Sequence, residues 1–97
     1  MRIRFTRKAI EDLAEIADYL NERNRRAALH VRASILESLD ILKAFPKAGR
    51  PQSTESVRKL VTRRYAYLIY YVVNDVAAEI VVLSIRHPAR KREYEDT

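Results

Sequence analysis

Nineteen lysines and arginines, two histidines and six tyrosines are the groups with which this 97-residue chain could do chemistry. His87 is the side chain best suited to exchanging a proton near neutrality, because an unperturbed imidazole titrates near ~6.5. It stands between Arg86 and Arg90, whose planar guanidinium forks match the oxygens of a phosphate or a carboxylate. Arg58 and Arg64 form a second basic pair of one strand parity, expected to line the same sheet face. Tyr94 adds a phenol near the C-terminus. Each of these residues also has a plain reading as a solvated strand end or a local hydrogen-bonding group. Tyr67, Tyr70 and Tyr71 fall in a dense apolar run and read as packing residues rather than a base-stacking platform. His30, midway along a helical stretch, reads as structural or exposed. The two histidines are far apart, cysteine is absent, and no carboxylates cluster outside a helix face, so no metal site is expected. One glycine, Gly49, cannot build a phosphate-cradling loop, and no cofactor is expected.

The charge distribution says what such groups could meet. A net charge of +6 directs attention to an anionic partner, either nucleic acid or an acidic protein. Acids collect early, as Glu11, Asp12, Glu15, Asp18 and Glu22. Bases collect around Arg23–Arg26, around Arg58–Arg64, and again from Arg86 to Arg92. A hydrophobic fraction of 47% with 33% charged residues is globular in type and excludes disorder as the default. The length suits a single domain over residues 1–97. No apolar run approaches a membrane span or a secretory leader, and without cysteine no disulfide framework is possible. A soluble, cytoplasmic protein is the expectation.

The elements that must position these side chains follow from periodicity. Residues 1–6 alternate as a short strand, with Ile3 and Phe5 on one face. Thr6 is an N-cap, and Phe5 with Ile10 has the spacing of a hydrophobic staple. The first helix carries Ile10, Leu13, Ala14, Ala17 and Leu20 on one stripe. Asn24 caps a second helix with Ala28, Val31, Ile35, Leu39 and Leu42, its stripe widened by Leu36 and Phe45, until Pro46 ends it. The short link makes an antiparallel helical hairpin. After a loop over residues 46–56 the period changes to two. Strands are predicted from Val57, over Tyr67–Val73, and over Glu79–Ile85, with Asn74 and Asp75 turning the chain. In the last strand Val81, Leu83 and Ile85 share one face, and Ile80, Val82, Ser84 and Arg86 the other. The order β-α-α-β-β-β gives a two-layer α+β fold, the hairpin packed on one face of a small, mainly antiparallel sheet. The other face is expected to be left uncovered.

Taken in order, these residues resemble the RelE/ParE superfamily, and its ParE-like branch in particular. The likeness runs through Phe5–Thr6, Ala9, Asp12–Leu13, Ile16 and Tyr19, then Ala28, Ile35, Leu39 and Leu42. It continues in Phe45-Pro46-x-x-Gly49-Arg50, Val57-Arg58-x-Leu60, Tyr67-Leu68-Ile69-Tyr70-Tyr71, Val82-Leu83 and Arg86-His87-x-x-Arg90. The resemblance implies the toxin of a type II toxin–antitoxin system, neutralised in a hetero-oligomer by a cognate acidic antitoxin. It also implies one of two actions: ParE-like binding to DNA gyrase, or RelE-like cleavage of messenger RNA on the ribosome. A module that has lost toxicity and only forms the complex is a third possibility. RelE-like nucleases resemble one another in an Arg-Leu-Val-Tyr strand, and here Tyr67 stands in place of that arginine. Another nuclease branch carries a Gly-Lys-Pro-Glu type loop, which here reads Gly49-Arg50-Pro51-Gln52, and glutamine cannot act as a base. The gyrase-binding alternative is therefore placed first, with Arg58, Arg64, Arg86 and Arg90 as target contacts. His87 and Tyr94 are kept as acid–base candidates for the nuclease alternative.

Overall fold

The computed structural model describes residues 1–88, so Arg90 and Tyr94 lie outside the described residues. The chain runs β1 (Arg2–Phe5), α1 (Arg7–Arg23), α2 (Arg25–Ala44), β2 (Arg50–Pro51), β3 (Val57–Val61), β4 (Leu68–Asn74) and β5 (Glu79–Arg86). The five strands lie in the order β1-β5-β4-β3-β2. β1 pairs with β5 in parallel, and every other pairing is antiparallel. This is the expected α+β arrangement with one addition. The two-residue β2 folds out of the 46–56 loop onto the edge of β3, pairing Arg50 with Lys59 and Pro51 with Arg58.

Both helix starts are capped as their residue types predict. The Thr6 side-chain oxygen accepts the Ala9 N–H at 3.1 Å, and Asn24 Oδ1 accepts the Ala27 N–H at 3.1 Å. Asn24 is also the residue between the two helices, which forces the sharp reversal. The inward face of α1 differs from the one expected. Ala9, Asp12, Leu13, Ile16 and Leu20 turn inward, whereas Ile10 is 57% exposed and makes no staple with Phe5. The cause is Asp12. β1 stops pairing with β5 at Phe5–Val82, leaving the backbone groups of β5 beyond that point without a strand. The start of α1 takes over: Thr6 N–H donates to Val82 O at 3.0 Å, Thr6 Oγ1 donates to Leu83 O at 2.9 Å, and Asp12 Oδ2 accepts Ile85 N–H at 3.0 Å. Satisfying these buried groups sets the rotation of the helix.

On α2, Val31, Ile35, Leu39 and Leu42 are buried as expected, together with Ser34 and Ser38. Leu36 and Phe45 are exposed rather than widening the stripe. In the sheet, Tyr70 pairs with Ser84 but Tyr71 pairs with Val82, so Leu83 is an extra, bulged residue. The bulge reverses side-chain parity. Ile85 therefore joins Ile80 and Val82 beneath the helices instead of sharing a face with Val81 and Leu83. The face away from the helices is also not left bare. Val57, Leu68 and Tyr70 are buried there, with Val72 and Leu83 against them. Among the described residues no helix is long and apolar enough to cross a membrane.

Candidate functional site

The basic residues singled out by sequence occupy opposite ends of the sheet. Arg58 sits beside β2, paired with Tyr71 across β4 and with Pro51 across β2. Its guanidinium donates to Gly49 O at 2.7 Å and to Lys47 O at 3.3 Å. The Tyr71 hydroxyl completes the same knot, donating to Pro46 O at 2.8 Å and accepting the Gly49 N–H at 2.8 Å. Gly49 is required for close approach, since a Cβ there would lie 2.6 Å from the Tyr71 hydroxyl and 2.9 Å from Lys59 O. Burial pushes the Tyr71 phenol above its ordinary value, opposed by the Gly49 N–H and by Arg58. This end is a structural lock on the loop that leaves α2. Arg58 does not share an outward face with Arg64, because its parity points it at the loop's carbonyls.

The other end of the sheet collects the remaining candidates. Val61, Leu68 and Arg86 are neighbours in register across β3, β4 and β5, so the end of β5 lies beside the turn from β3 to β4. That turn carries Arg63, Arg64 and Tyr65. Arg64 is exposed, its guanidinium 5.8 Å from the centre of the Tyr65 ring, while its carbonyl accepts hydrogen bonds from Ser34 Oγ at 3.0 Å and Thr62 Oγ1 at 2.6 Å. Half-buried Arg86 and exposed His87 line a recess of about 450 Å³ with Asp12, Glu15, Tyr19 and Tyr67. The His87 ring meets Tyr67 edge-on, with centroids 5.5 Å apart. Tyr67 is buried, and burial, reinforced by Tyr19, raises its phenol above the ordinary value, so it stays neutral at physiological pH.

Arg86 and His87 thus share the recess, Arg64 stands on the turn at the same end of the sheet, and Arg58 is turned onto the loop after α2. His30 is exposed on α2 and belongs to neither group. Among the described residues no three histidine or carboxylate side chains group closely enough to hold a metal ion. Sequence reasoning missed Asp12, Tyr19 and Tyr65 at this end of the sheet. The one available signal was for Asp12, which falls three residues after Ala9 and one before Leu13 on a helical stripe.

Comparison with known proteins places this geometry in a family. The family model described as the ParE toxin of the type II toxin–antitoxin system parDE matches residues 3–92. The toxin RelE2 of Caulobacter vibrioides is 35% identical over 86 residues, covering 89% of this chain and 93% of that protein. The protein Y4kP of Sinorhizobium fredii is 34% identical over 86 residues, covering 89% of this chain and 86% of its own. The chromosomal ParDE system from P. aeruginosa superposes with a TM-score of 0.76 at 31% identity, over 90% of this chain and 95% of that one. The intact E. coli RelBE toxin–antitoxin complex has the same fold, with a TM-score of 0.69 at 18% identity, over 92% and 98% of the two chains.

Proposed function

We propose, on the premise that this chain belongs to the ParE toxin family of type II toxin–antitoxin systems, that it acts by binding DNA gyrase and cleaves no bond. One observation carries the choice. Where the RelE-like nucleases it resembles place an arginine, this chain has Tyr67, a buried neutral phenol that meets the His87 ring edge-on. A neutral phenol supplies no positive charge to a pentacovalent phosphorane, the charge stabilisation on which metal-free RNA cleavage depends. The exposed Arg64 guanidinium supports this reading, as a group able to make charge-assisted contacts with an acidic protein surface, and half-buried Arg86 adds positive charge at the same end of the sheet.

The partner that restrains it is a cognate antitoxin, in keeping with the toxin–antitoxin complexes among its structural relatives. Between α1 and α2 runs an apolar groove of about 470 Å³ whose lining includes Leu13, Ala17, Leu20, Ala28, Leu29 and Leu36. Leu29 and Leu36 are 63% and 45% exposed, more apolar surface than a lone helical hairpin needs to show. Arg32 lines the same groove, and Arg25 and Arg26 begin α2. This combination suits an acidic amphipathic segment that folds as it binds. Its association should slow as salt shortens the Debye length toward ~8 Å; an association rate unaffected by salt would count against this docking.

The target is tested by inducing the protein without antitoxin while following plasmid supercoiling and messenger integrity in parallel. Loss of supercoiling with intact messengers, retained in His87→Ala, is the expected result. Messenger cleavage that disappears in His87→Ala would replace gyrase binding with the endoribonuclease alternative. No growth defect in any form would leave complex formation as the module's role.

A further inference from the structure

We propose that the turn between β3 and β4, residues 63–66, is a preformed arginine–tyrosine knob that anchors in an acidic concavity of the target protein through Tyr65. The proposal rests on the binding mode argued above and names the part of the surface that would carry it.

The turn is held on several sides. At its stem, Thr62 N–H donates to Tyr67 O at 2.9 Å and Tyr67 N–H donates to Thr62 Oγ1 at 3.0 Å. At its tip, Arg64 O accepts from Thr62 Oγ1 and from Ser34 Oγ of α2, and Arg63 lies 3.8 Å from Glu37 of the same helix. Little conformational freedom is left for binding to remove, which favours affinity. Within this frame Tyr65 and Ala66 both have left-handed backbones, φ 68° and 53°. A bulky residue at positive φ is an outlier, and glycine or asparagine would close such a turn with less strain. Ser56 and Ala78 also adopt positive φ, but they are small and stand singly. The strain at Tyr65 has a visible consequence: the residue is 43% exposed at the tip, with the Arg64 guanidinium 5.8 Å from the centre of its ring and Val61, 46% exposed, at the base.

The chemistry favours a protein over a nucleic acid. Stacking successive bases needs a series of exposed rings, and the next tyrosines along the chain, Tyr67 and Tyr70, are buried. A phosphate track needs several uncompensated cations, and here Arg63 is paired with Glu37. A projecting aromatic with an arginine beside it is instead the usual anchor of a protein interface.

The test compares Tyr65→Asn/Ala66→Gly with Ala66→Gly alone and with Tyr65→Phe. The double variant should melt no lower than the unaltered protein while its growth inhibition, without antitoxin, falls at least ~10-fold, the loss of one buried anchor. Ala66→Gly and Tyr65→Phe should keep full potency, because both retain the ring. Antitoxin affinity should be the same in all four proteins. Full potency in the double variant, or an equal loss in Ala66→Gly, would overturn the proposal. So would binding of the unaltered protein to a short DNA duplex that weakens ~10-fold with Tyr65→Asn/Ala66→Gly. Whether gyrase is the target is read separately, from supercoiling by purified gyrase with the unaltered protein. The growth ratio between variants tests the knob whatever that target proves to be.

Discussion

The two ends of the sheet carry similar charges and use them in opposite ways. At the Arg58 end the guanidinium is turned onto the carbonyls of Lys47 and Gly49, and the Tyr71 hydroxyl closes the same loop from within. At the Arg64 end the carbonyl of the turn is tied down by Ser34 and Thr62, which leaves the guanidinium beside an exposed ring. An arginine spent on main-chain acceptors contributes to folding, whereas one presented by a rigid turn is available to a partner. The location of a cation in the sequence does not distinguish them; the hydrogen-bond partners do.

The strongest challenge to this contrast is the double change Arg64→Ala with Arg86→Ala. Charge-assisted contacts are worth roughly 1.5–3 kcal/mol each, so target binding should fall by about two to four orders of magnitude. For exposed Arg64 the stability cost should be only about 0–1 kcal/mol, since its carbonyl remains in place, and half-buried Arg86 should account for most of any fall in melting temperature. Growth assays and thermal melts on the same protein check both halves, and unchanged toxicity would remove the Arg64 end from the mechanism.

At the opposite end, Gly49→Ala should cost about 1–3 kcal/mol, because the new Cβ meets the Lys59 carbonyl as well as the Tyr71 ring. Denaturant unfolding measures the loss. Toxicity should decline only as far as the folded fraction does.

Tyr71→Phe should cost about 1–3 kcal/mol by leaving the Gly49 N–H and the Pro46 carbonyl without their partner. It carries a pH signature as well. With its pKa raised from 10.0 in the folded chain, Tyr71 keeps its proton there while the unfolded chain ionises, so its contribution is intact below pH 10 and is lost as pH rises through the folded value. Melting temperatures above pH 10 should fall less steeply in Tyr71→Phe than in the unaltered protein. Equal slopes would transfer the alkaline sensitivity to other groups, Tyr67 among them.

The smallest effect should come from Arg58→Ala, about 1 kcal/mol of stability for a partly screened side chain, with target inhibition unchanged once folding is allowed for. A selective loss of inhibition in that variant would join the two ends into one functional surface and undo the distinction.

Much of this molecule was legible from short windows of sequence. The caps at Thr6 and Asn24, the paired amphipathic helices, the Pro46 exit, the three-strand meander and the buried tyrosine run all follow from local propensity and from periods of 3.6 and 2. So did the family, because the order of those signals along the chain is itself specific. What no short window contained was where β1 would end against β5, since those strands are more than seventy residues apart. That ending exposes backbone groups of β5 that Thr6 and Asp12 must satisfy. It turns Asp12 inward and Ile10 outward, against the hydrophobic pattern. The bulge at Leu83 then reverses which face Ile85 meets, and the addition of β2 brings the loop carbonyls within reach of Arg58. Hydrogen-bond satisfaction between distant segments is a tertiary property, and it decided that Arg58 is turned onto the loop carbonyls while Arg64 stays exposed.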